Sequence, residues 1–65
     1  MRRALAEVLV AYGMDEKVQD EISFCLKNDK QIMDFLDGIA ASVPAGLGKK
    51  ALTDRFYKIA EGINT

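Results

Sequence analysis

Of the side chains most used for metal binding and for acid–base or thiol chemistry, the 65 residues hold one cysteine, ten carboxylates and no histidine. Nucleophilic catalysis of the Ser–His or Cys–His kind is excluded, because it needs an imidazole base. Cys25 falls on an apolar helical stripe, the position of a small buried hydrophobe, whereas a reactive thiolate needs electropositive, accessible surroundings. Asp15, Glu16, Asp20 and Glu21 lack the alternating spacing and central glycine of a calcium loop. Asp15 and Glu16 suit the first turn of a helix, where a carboxylate meets the positive end of the dipole, and Asp20, Glu21, Asp34 and Asp37 suit solvated faces. A single cysteine permits no internal disulfide, and no Cys/His cluster exists to hold structural zinc. The expectation is a chain with no catalytic residue, no metal and no cofactor, hence not an enzyme.

Gly46-Leu47-Gly48-Lys49-Lys50 is the segment with the most functional character. It is not a phosphate-binding P-loop. That motif requires glycine where this chain has Val43 and a hydroxyl residue where it has Lys50. The segment resembles the turn of helix-hairpin-helix modules, in which a Gly-hydrophobic-Gly hairpin enters a helix. The resemblance covers about 20 residues and departs from the family at Ala45, an insertion between Pro44 and Gly46, and at Ala51, one place early for the packing residue. It implies a weak, sequence-independent nucleic-acid contact. Backbone N–H groups around Gly46 and Gly48 would meet a phosphate beside Lys49, Lys50, Arg55 and Lys58.

The elements that must position these residues are helical throughout. Leu5, Val8, Leu9 and Tyr12 recur at i, i+3, i+4 and i+7, and Gly13 supplies a left-handed stop. A second stripe, Val18, Ile22, Cys25 and Leu26, follows Asp15 as N-cap, with Asn28 placed to take a left-handed cap at its end. Asp29 is positioned to cap a third helix carrying Ile32, Phe35, Leu36 and Ile39 and running on to Val43, where Pro44 stops it. A fourth presents Leu52, Phe56, Ile59 and Ile63. The fold expected is a single all-α domain over residues 1–65, a compact array of about four short helices near 2–12, 15–27, 29–43 and 48–62.

Residues 4–36 are similar in architecture to ubiquitin-associated domains, which have three helices and a Met-Gly-aromatic loop. The order Tyr12-Gly13-Met14 is not that loop, so the similarity implies a three-helix arrangement and not ubiquitin binding. A DNA-reading helix-turn-helix over residues 5–26 would turn Asp15, Glu16, Asp20 and Glu21 toward phosphates, which electrostatics forbids.

Charge and hydropathy bear on partners. The net charge is −1, but residues 1–43 carry five cations against eight acids (net −3) while residues 44–65 carry four against two (net +2). Hydrophobic residues make up 49%, a high share for a chain this short, whose core is marginal unless it packs well or is covered by a partner. Val10, Phe24, Met33 and Tyr57 fall off the stripes, with Tyr57 expected on the far side of the last helix from Phe56. They line either a second buried face or a contact surface. The functional expectation is a small protein-interaction module or regulatory subunit that binds itself, as a homodimer, or another protein, with nucleic acid as the alternative partner. No stretch approaches the roughly 18 apolar residues of a membrane span. Met1-Arg2-Arg3 begins like a signal peptide, but Glu7 interrupts the apolar run, so the expected location is cytoplasmic and Met1 suits a complete small protein.

Overall fold

A computed structural model describes residues 1–64 as four α-helices: α1 Arg2–Ala11, α2 Glu16–Cys25, α3 Asp29–Ser42 and α4 Lys49–Asn64. Among the described residues there are no strands. Helix α1 packs on α2 and α3, and α4 packs on the same two, so the helices form a ring in the order 1-2-4-3. The molecule measures 29 × 21 × 17 Å.

Each boundary has a local cause. Helix α1 ends in a Schellman turn. Gly13, at φ +80°, donates to Val10 O at 2.9 Å, and the Met14 amide reaches back to Leu9 O at 3.0 Å. The turn folds Met14 onto the last turn of α1, and both Met14 and Leu9 are buried. Asp15 caps α2 as its sequence position predicts, its Oδ1 accepting from the Val18 amide at 3.1 Å. Helix α3 stops at Ser42, just ahead of Pro44, and Gly46 (φ +86°) turns the chain into α4.

The α2–α3 junction corrects three expectations. Helix α2 ends at Cys25 and not at residue 27, and Asn28 is extended (φ −150°) and not left-handed. Asn28, not Asp29, is the N-cap of α3, its Oδ1 accepting from Gln31 N at 2.9 Å, while Gln31 Oε1 accepts from Lys27 N at 2.6 Å. One asparagine cannot cap both helices across so short a link. Together these two bonds satisfy the backbone donors of Gln31 and Lys27, so the N-terminal role prevails. The end of α2 is served instead by a residue far away in sequence. Arg2 donates from Nη1 to Ser23 O at 2.8 Å and to Ser23 Oγ at 3.1 Å, and from Nη2 to Leu26 O at 2.7 Å.

The core consists of Leu5, Leu9, Met14, Val18, Ile22, Leu26, Ile32, Phe35, Ile39, Phe56 and Ala60. Phe56 stands at its centre, edge-to-face with Phe35 at 5.8 Å and with Tyr12 at 5.1 Å. On α4 the fully buried pair is Phe56 and Ala60, while the expected Leu52, Ile59 and Ile63 flank them. Gly38 lets α3 approach α4 closely, since a Cβ there would lie 3.0 Å from Ile59 Cγ2. The accessible surface of 4277 Å² is close to the roughly 4100 Å² expected of a compact monomer of this mass. The helices therefore close a core without a second subunit.

Candidate functional site

The stripe of α2 is complete without Phe24. Val18, Ile22 and Leu26 are buried, and Phe24 lies about 160° around the helix from Ile22, pointing away from the protein. It is 79% exposed, the most exposed large hydrophobe among the described residues. Its ring is touched by the Lys27 ammonium, 5.0 Å from the centroid, in a cation–π contact.

Phe24 forms one wall of an open groove of about 420 Å³ lined also by Arg2, Asp20, Ser23, Leu26 and Lys27. The groove exists because α1 begins where α2 ends, and the Arg2 guanidinium ties the two together. A smaller hollow of about 110 Å³ continues along the α1–α2 seam between Ala6, Gln19 and Asp20. The groove sets the exposed Phe24 ring beside two cations and a single carboxylate. No array for acid–base work is present, and among the described residues no cluster of three His, Cys, Asp or Glu side chains could hold a metal ion. Cys25 is half-buried against the core.

The other off-stripe residues have different surroundings. Helices α1 and α2 do each have two neighbours, yet Val10 is still 60% exposed and Met33 on α3 is 52% exposed. The second-buried-face explanation therefore fails for Val10, Phe24 and Met33. Nor do these three make one patch. Arg2 lies against the end of α2, so Val10, about 12 Å further along α1, stands toward the opposite end of the pair from Phe24. Met33 belongs to α3, which does not pack on α2. Tyr57 is half-buried and lies about 100° from Phe56, not on the far side of α4. Its hydroxyl donates to Glu21 Oε1, joining α4 to α2. That bond, reinforced by burial and by the charges of Glu21 and Asp15, pushes the phenol up to about 12.

The basic candidates do not gather into a patch. Lys49, Lys50 and Lys58 are exposed, but Asp54 lies one turn from both Lys50 and Lys58 and interrupts the row. Arg55 donates to Ser42 O at 3.3 Å and so serves the end of α3. Gly46 and Gly48 form the turn into α4, where the Gly48 carbonyl accepts the Leu52 amide at 2.9 Å. Of the groove residues, sequence reasoning assigned Asp20 to a solvated face and gave Arg2, Ser23 and Lys27 no site role. The missing signal was the end of α2, which has no cation in its last turn and no glycine after it, and so needs an outside donor.

Comparison with protein-family models, curated proteins and solved structures finds no match for this chain. Among the described residues no helix is long and apolar enough to cross a membrane.

Proposed function

We propose that this chain is a small non-enzymatic interaction module, or a regulatory subunit, that docks another polypeptide through the outward face of α2. The observation supporting the reading is Phe24, a phenyl ring held in water beside a stripe that is already complete. Covering such a ring contributes about 2–3 kcal/mol, and aromatic anchors of this kind sit at the centres of protein interfaces. Homodimerisation is one form the docking can take, but the surface area gives the fold no need of a second copy. The nucleic-acid alternative through Gly46, Gly48, Lys49, Lys50, Arg55 and Lys58 is weakened by Asp54 within the row and by the commitment of Arg55 to Ser42.

Photo-crosslinking tests the reading. A benzophenone side chain at position 24 of the full chain is expected to give a discrete polypeptide adduct. Excess wild-type chain should compete it away, and a Phe24→Asp chain should not. An adduct with nucleic acid, or one that both chains compete equally, would overturn the proposal. Sedimentation equilibrium at micromolar concentration, with and without Phe24→Asp, identifies whether that polypeptide is a second copy.

A further inference from the structure

We infer that the groove between the start of α1 and the end of α2 recognises an acidic, amphipathic polypeptide segment. An apolar side chain of that segment would lie on Phe24, and its carboxylates would face Arg2 and Lys27. The inference rests on the reading of the α2 face as a docking surface and names the chemistry of its partner.

Charge complementarity carries the argument. Residues 1–43 are net −3 with five cations, yet two of those five, Arg2 and Lys27, line this one groove against a single acid, Asp20. An acidic partner is thus repelled by most of the body and attracted here, so charge selects the site as well as the ligand. Both cations are held before the partner arrives. Arg2 spends three of its five N–H donors on Ser23 and Leu26, which fixes the guanidinium plane and leaves two donors for a carboxylate. Lys27 is held over the Phe24 ring, its ammonium at the lip of the groove. Pre-positioned donors lose little freedom on binding. The apolar requirement comes from the exposed Phe24 ring, which would be left wet by a purely charged ligand. At about 420 Å³ and open to solvent, the groove fits side chains of a polypeptide better than an enclosed small molecule. Stacking on Phe24 could suit a nucleobase, but the chain's pI near 5.2 and the Asp20 carboxylate oppose a phosphate backbone.

The test is an amide-resolved NMR titration of the full chain with three short synthetic peptides. One is acidic with Leu and Phe at i, i+4. The second has its acids changed to lysine, and the third has its apolar residues changed to serine. The acidic amphipathic peptide should shift Arg2 and the Asp20–Lys27 stretch, and the other two should not. Phe24→Ser and Lys27→Glu, both at exposed positions, should each weaken binding about tenfold, and added salt should weaken it further. Equal shifts from the lysine peptide, no shifts at these residues, or stronger shifts from an oligothymidine would overturn the inference. Shifts around Phe24 that depend on protein concentration alone would overturn it too, because they would make a second copy the occupant. If the peptide fails while position 24 still crosslinks to a polypeptide, the docking surface stands and only its acidic partner falls.

Discussion

Phe24 and Tyr57 enter the sequence on equal terms, each an aromatic residue off the apolar stripe of an amphipathic helix, yet the fold treats them oppositely. Tyr57 faces the α2–α4 seam, where its hydroxyl donates to Glu21 and its ring packs in part against the core. Phe24 faces outward from α2, has no polar atom to satisfy, and carries the Lys27 ammonium against its ring. The difference teaches that an off-stripe aromatic is absorbed when it lies toward a neighbouring helix that offers a partner. It stays available when it lies about opposite the stripe, where no helix can reach.

Substitutions at four positions sharpen that contrast. Phe56→Ala, the fully absorbed extreme, should cost about 3–5 kcal/mol in urea denaturation and leave a chain this small largely unfolded. Arg2→Ala should cost about 1 kcal/mol and speed amide exchange at the end of α2, since it removes the donor to Ser23 O and Leu26 O from a solvent-exposed site. Tyr57→Phe should cost slightly less, about 0.5–1 kcal/mol, and it carries a pH signature. The phenol is held up near 12 in the fold against its ordinary 10, so the folded state keeps the proton longer. Its stabilising contribution is complete below pH 10 and is lost as pH rises from 10 through 12. The difference between wild type and Tyr57→Phe in a stability–pH series should therefore shrink across that window. A difference that stayed constant would show that the Glu21 bond is not made in solution. Phe24→Ser should change stability by no more than about 0.5 kcal/mol, as surface substitutions do. A loss comparable to that of Phe56→Ala would mean the ring is packed, and the contrast with Tyr57 would collapse.

Much of the framework was legible from short-range chemistry. Gly13 as a left-handed stop, Asp15 as an N-cap and Pro44 as the end of α3 each depend on a residue and its near neighbours, and each holds in the structure. The junction at Asn28 and Asp29 was misassigned because both residues can cap, and the choice depends on Gln31 reaching back to Lys27. Met14 was overlooked because it lies outside any helical stripe and is buried by the geometry of the Schellman turn itself. Ala60 was overlooked because a stripe of large residues conceals the small one at the closest contact. The groove was least legible of all. It depends on Arg2 meeting Ser23 and Leu26 across more than twenty residues, and no local periodicity encodes which charged side chain will find an open helix end.

The ring order 1-2-4-3 also has a kinetic meaning. Two of its four seams, α1 with α2 and α3 with α4, join helices that follow each other directly in the chain, so each can zip by closing one short loop. The other two seams lie between these pairs and form together when one hairpin lands on the other. Such a sequence of mostly local closures, with one docking event to complete it, places folding in the microsecond-to-millisecond range of small helical proteins. Phe56 already meets Phe35 within the α3–α4 hairpin, and the landing adds Tyr12 to complete the aromatic trio.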